Sequence, residues 1–271
     1  RPAMHYNAIW LSDIHLGYRD CKANFLLDFL NKTHTNRLYL VGDVVDLWAM
    51  KRSFLWPPSH HEVLRKIIDL ANNGTRVIYI PGNHDDLMRE VAGTVLLNIE
   101  IHQQFVHTTH EGKKLLLLHG DEFDHAVLCN RFARLAGDAG YSLLLHFNRW
   151  SNVLRRWWGL PYWSLAQYVK NRVRNARAAI IAFEEAAAKE AVRQEADGIV
   201  CGHIHQPEIR TIDGILYCND GDWVESCTAL VEHRQGKLEL LHWGDLQQAI
   251  KCDQAANDST ISAPYSLPRL S

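Results

Sequence analysis

The sequence has few of the features that decide a protein's class early. No apolar run approaches the roughly 20 residues needed to span a bilayer, so any membrane contact is expected to be peripheral. Arg1 to Leu11 lacks the long apolar core of a secretion signal. The six cysteines, Cys21, Cys129, Cys201, Cys218, Cys227 and Cys252, show no paired spacing, which argues against a disulfide framework and for reduced thiols in a cytoplasmic protein. Charge of one sign is also missing. A net charge of -2 gives no general attraction to nucleic acid or to an anionic surface, so no nucleic-acid partner is expected and any cationic face must be local. What is present is apolar bulk: 271 residues at 47% hydrophobic can bury a sizeable core, as one large domain with an insertion.

The chain is organised around Leu40-Val41-Gly42-Asp43-Val44-Val45-Asp46, an apolar strand that runs into a glycine and delivers a carboxylate at its end. Strand ends are where α/β sheets assemble their sites. Four other apolar runs finish in the same way. Ala8 to Leu11 leads to Ser12-Asp13-Ile14-His15, where an alternating Asp and His in extended backbone would face one side. Arg76 to Ile80 leads to Pro81-Gly82-Asn83-His84-Asp85, Lys114 to Leu118 to His119-Gly120-Asp121, and Gly198 to Cys201 to Gly202-His203-Ile204-His205.

The resulting ligand set is Asp13, His15, Asp43, Asn83, His119, His203 and His205. Carboxylate and amide oxygens mixed with imidazoles suit borderline divalent ions, with manganese the first expectation and iron, cobalt or zinc the alternatives. Seven ligands exceed one tetrahedral site. Two ions about 3.5–4 Å apart that share Asp43 would use them all, lower the pKa of a shared water and favour hydrolysis of a phosphate ester. Asp46 and Asp85 fit a supporting role, as carboxylates that orient imidazoles. His60 and His61, near the start of a helix, read as a solvated cap.

The ordered motifs DIH, GDVVD, GNHD, HGD and GHIH, each after an apolar run, resemble the calcineurin-like metallophosphoesterase superfamily over roughly Ile9 to Trp243. Within it, GDVVDLW, HGD and GDWVE resemble the bacterial UDP-2,3-diacylglucosamine hydrolases, the pyrophosphatases of the lipid A pathway. That resemblance implies a four-layered α/β/β/α sandwich and a lipid-linked nucleotide substrate cleaved to UMP and a lipid-sugar phosphate. It also implies peripheral contact with the inner membrane. At position 84 this chain has histidine where the lipid hydrolases carry arginine; the wider superfamily has histidine there, taken to protonate the leaving group. His84 and Asp43 are thus the expected catalytic residues.

Elsewhere the periodicity predicts a helix over Asn24 to Asn31, a strand over Leu38 to Val41 and a helix from about Ser59 that stops at Gly74. It predicts strands over Gln104 to Thr109, Glu208 to Ile212, Ile215 to Asn219, Thr228 to His233 and Lys237 to Trp243, joined by turns at Glu111-Gly112, Asp213-Gly214 and Gln235-Gly236. One domain is expected over 4–250, with a helical insertion at about 123–196 and a polar tail over 251–271. The insertion mixes aromatics with cations, which suggests a lid whose Trp157, Trp158 and Tyr162 take acyl chains and whose Arg155, Arg156 and Lys170 take phosphate; Asp124, at its entrance, is also expected to meet substrate. Two other readings stay open: a soluble phosphodiesterase or phosphomonoesterase acting on a small molecule, and a non-catalytic metal-binding module. The complete ligand set argues against the module.

Overall fold

A computed structural model describes residues 4–124 and 174–245. Its centre is two sheets packed face to face. The seven-stranded sheet is built on β1 (Met4–Leu11), β2 (Thr33–Val41) and β3 (Arg76–Ile80), which run parallel side by side. It is extended on one edge by β4 (Val95–Leu96) and β5 (Ile99–Ile101), and on the other by β11 (Thr228–His233) and β12 (Leu238–His242), in the order β12-β11-β1-β2-β3-β5-β4. The five-stranded sheet contains β6 (Phe105–Thr108), β7 (Lys114–Leu117), β8 (Gly198–Cys201), β9 (Glu208–Ile212) and β10 (Ile215–Asn219), in the order β6-β7-β8-β10-β9.

Side-chain alternation along these strands separates the layers. Ala8 and Trp10 of β1 join Tyr39, Ile78, Ile80, Leu115, Leu117 and Val200 between the sheets. Ile9 and Leu11, on the opposite face, pack with Leu26, Phe29 and Leu30 of α1 (Ala23–Lys32) and with Val63 and Ile67 of α3 (Pro58–Asn72). On the far side, Leu116, Ile199 and Tyr217 meet Phe183, Ala187 and Ala191 of α4 (Arg174–Arg193). The order is helix, sheet, sheet, helix, the sandwich expected from the sequence. The outer layer supplied by α4 occupies sequence that falls inside the 123–196 segment.

Several boundaries differ from the sequence reading. Strand β2 begins at Thr33 rather than Leu38, because its first residues continue the parallel pairing with β1 despite their polar side chains. The short helix α2 (Leu47–Arg52) has no buried residue and so no apolar stripe to announce it; Asp46 caps it by accepting from the Ala49 N–H. His60 is buried rather than a solvated cap: its Nδ1 accepts the Gly17 N–H at 2.9 Å, in the turn just after His15.

Candidate active site

All seven expected ligands lie in turns just past strand ends. Asp13 and His15 follow β1, Asp43 follows β2, Asn83 follows β3, His119 follows β7, and His203 and His205 follow β8. The first four come from one sheet and the last three from the other, so the site sits where the two sheets come together.

The backbone that presents them is not extended strand. Asp13, His15, Asp43, His203 and His205 all have left-handed conformations, with φ between 49° and 66°. Asp13 and His15 therefore converge through two turned residues and not through strand alternation. Non-glycine residues held in this region carry strain that the surroundings must support, and such positions gather at functional sites. Here hydrogen bonds between turns provide that support: the Asp13 N–H donates to Gly42, and the His15 N–H donates to Asp43.

The convergence is tight. His205 Nε2 lies 3.1 Å from Asp13 Oδ1, His119 Nε2 lies 3.4 Å from Asp43 Oδ2, and His15 Nε2 lies 3.8 Å from both Asp13 and Asp43. Two groups emerge, Asp13 with His15 and His205, and Asp43 with His119 and His203, the ligand atoms of each within 4.8 Å of one another. Electrostatics tie them together. Burial alone would raise the carboxyls of Asp13 and Asp43, but His205 and His15 beside the first and His119 beside the second hold both below the usual range. Burial would lower His15, yet Asp13 and Asp46 raise it to about 10, and Asp43 raises His119 well above an ordinary imidazole. Positive charge is wanted at the centre, and in the chain alone the imidazoles supply it.

The fit to divalent cations can be tested on atoms with nothing to bond. Asp13 Oδ1, His15 Nε2, Asn83 Oδ1 and His119 Nε2 are buried and have no hydrogen-bond partner. Buried polar atoms left in this state are costly, and cations held among these residues would satisfy them. A third group, His15 with Asp46 and His84, is different in kind. Asp46 Oδ2 accepts from His15 Nδ1 at 2.9 Å while its Oδ1 accepts from His84 Nδ1 at 3.0 Å and from Ala49, so these atoms are already paired.

The supporting carboxylates divide their work. Asp46 orients two imidazoles, as the sequence suggested. Asp85 orients none: its carboxylate accepts from the N–H groups of Gly82 at 2.6 Å and Val44 at 2.7 Å and from the Tyr79 hydroxyl, binding the GNHD turn to the GDVV turn. Sequence reading missed a second support. Ser12 Oγ lies 2.6 Å from Asp13 Oδ2 and 2.6 Å from Asp220 Oδ1, and one hydroxyl proton cannot serve both. Burial, with the charge of Asp13 added, raises the Asp220 carboxyl well above the usual range. Asp220 follows β10, and the same search for acids at strand ends would have found it.

A cleft of about 310 Å³ opens over the cluster, its walls including His84, Trp48, Arg52, Tyr18 and Val224. The His84 ring lies 4.5 Å from that of Trp48 and 4.8 Å from that of His15. Asp124, expected to meet substrate, has Oδ1 2.7 Å from His203 Nε2. Arg155, Arg156, Trp157, Trp158, Tyr162 and Lys170 lie outside the described residues, as does the 251–271 tail. Among the described residues no helix is long and apolar enough to cross a membrane.

The family model described as calcineurin-like phosphoesterase matches residues 7–207, which hold every one of these ligands. The chain belongs to the calcineurin-like phosphoesterase family. It is accordingly a metal-dependent hydrolase of phosphate ester bonds. A UDP-2,3-diacylglucosamine hydrolase of Blochmanniella pennsylvanica is 25% identical over 223 residues, covering 75% of this chain and 81% of the relative. One from Yersinia pseudotuberculosis is 25% identical over 234 residues, covering 76% and 85%. Among solved structures, Yfce, a phosphoesterase from E. coli, aligns at a TM-score of 0.44 and 15% identity over 87% of this chain and 98% of its own.

Proposed function

We propose that this phosphoesterase holds two divalent cations, manganese in the first instance, and hydrolyses the pyrophosphate of a UDP-2,3-diacylglucosamine-type substrate to UMP and a lipid-sugar phosphate. The observation that carries the two-cation reading is the set of four buried, unbonded ligand atoms gathered around Asp43. Asp13, His15, Asp43 and His205 would hold one ion, and Asp43, Asn83, His119 and His203 the other. When bound, such ions supply Lewis acidity and a water of lowered pKa.

The chain's own residues supply the rest. Asp43, whose Oδ1 also accepts the His84 N–H at 2.8 Å, fixes the distance between the two halves of the site and the turn that carries the acid. His84 donates a proton from Nε2 to the leaving oxygen, while Asp46 keeps Nδ1 occupied and orients the ring. Trp48 and the His15 ring limit the rotation of His84. Arg52, on the cleft wall, offers a cation to the departing phosphate.

The lipid-linked substrate rests on the relatives named above and on the aromatic and cationic run that contains Arg155, Arg156, Trp157, Trp158, Tyr162 and Lys170. Such a substrate brings the protein to the cytoplasmic face of the inner membrane. His84, where the lipid hydrolases have arginine, supports a second reading, a soluble phosphodiesterase with another substrate. A panel of UDP-2,3-diacylglucosamine, UDP-sugars, cyclic nucleotides and aryl phosphates, assayed with the manganese-loaded protein and with products identified, separates them. UMP and an acylated sugar phosphate as the fastest products are the expected outcome; turnover of the small diesters alone would remove the lipid reading.

A further inference from the structure

Three imidazoles of the cluster, His15, His119 and His203, each have one nitrogen held by a neighbouring group, and the holders differ in kind. His15 Nδ1 is held by Asp46, and His119 Nδ1 donates to the Val41 carbonyl at 2.9 Å; both acceptors are buried. His203 is held through Nε2 by Asp124 Oδ1 at 2.7 Å, and the Asp124 side chain is 60% exposed. The nitrogen of His203 left for the group formed with Asp43 and His119 is therefore Nδ1.

We propose that Asp124 is a positioning residue for the cation position of Asp43, Asn83, His119 and His203: it fixes the tautomer of His203 with hydrogen on Nε2 and the lone pair on Nδ1. Electrostatics favours this role over the substrate contact expected from the sequence. A carboxylate facing a phosphate repels it. The same carboxylate accepting an imidazole N–H on the far side of a cation ligand raises the basicity of that ligand, and partners of this type are worth about 10–100-fold in metal affinity. The two positions are consequently unequal. The ligand His15 is locked by an acid inside the protein, whereas His203 is locked by one at the surface, at the last described residue before the 125–173 segment. The affinity of one position alone is thereby open to adjustment from outside the core.

This inference rests on the two-cation reading, and calorimetric titration of manganese into chelator-stripped protein separates the two. The parent should take up two ions in two steps. Asp124→Ala should weaken one step about 10–100-fold and leave the other unchanged, with an unaltered melting temperature of the stripped protein because the side chain is exposed. Asp124→Asn keeps an oxygen acceptor for Nε2–H and should restore most of the lost affinity. Two unchanged steps in Asp124→Ala, with a raised KM for phosphoester, would overturn the assignment and return Asp124 to substrate contact. A parent that takes up fewer than two ions would overturn the two-cation reading and this inference with it.

Discussion

At the scale of single residues, the site is a set of charges that answer one another. Asp46 shows this most plainly, since one carboxylate holds both His15, a proposed cation ligand, and His84, the proposed acid. His84→Ala should therefore retain both cations and lose about 10²–10⁴ in kcat. The loss should be largest with alkyl leaving groups and small with nitrophenolate, which needs no proton. Equal losses across a series of leaving-group pKa values would remove His84 from that role. The ligands themselves were legible because each stands after an apolar run and a glycine or a short turn. Asp124 was legible as an acid near the site but not in its direction, because the bond to His203 is made between residues 79 positions apart. Asp220 could be found as an acid after a strand, but its link to Ser12 could not: a hydroxyl bridging two acids is a fact of packing between the ends of β1 and β10, 208 residues apart in sequence.

At the scale of elements, the strands are ordinary and the turns after them are not. Gly42 has φ +85°, and a Cβ there would run into the His119 ring. Gly42→Ala should thus displace His119 from Asp43, lowering manganese occupancy and costing about 1–3 kcal/mol of stability; calorimetry and thermal melts read both. Another polar link joins the two sheets. His107 on β6 lies 2.8 Å from the Tyr39 hydroxyl on β2 and 3.2 Å from Glu232 on β11, whose other oxygen accepts the His110 N–H. Burial would raise Glu232, but His107 and that N–H hold its carboxyl below the usual range. A depressed carboxyl stabilises the fold above its unfolded pKa, about 4.3, and the stabilisation fades as pH falls through the lower folded value. Glu232→Gln should accordingly melt lower than the parent near neutral pH and converge on it as pH falls below about 4.3, as followed by calorimetry. Strand positions could be read from alternation and from Asx-Gly or Gly turns, whereas α2 could not, since a helix with no buried residue leaves no pattern.

At the scale of the whole molecule, four layers follow from which face of each strand is apolar, and the sequence pointed to them through the family resemblance that the motif order carries. The role of α4 was not, because its alanine-rich face reads equally well as part of an insertion until Phe183, Ala187 and Ala191 are seen against the five-stranded sheet. Cations that bridge the two sheets should stabilise the whole. At a free concentration 100 times the dissociation constant, each site contributes about 2.7 kcal/mol, and at roughly 2–4 °C per kcal/mol for a chain of this size the melting point should rise by about 5–10 °C per ion. A chelator should reverse the rise, and a melting point indifferent to manganese would contradict the bridging arrangement. The division of ligands between the sheets also bears on how the protein is made. Asp13, His15, Asp43, Asn83 and His119 leave the ribosome early, and His203 and His205 follow only after more than 80 further residues. At about 5–20 residues per second that is a wait of roughly 4–17 s, during which neither cation position has its full set of donors. On the proposed ligand assignment a complete donor set exists only once His203 and His205 have been added, so the ion pool met from that point on, rather than at the start of translation, decides which metal the site takes.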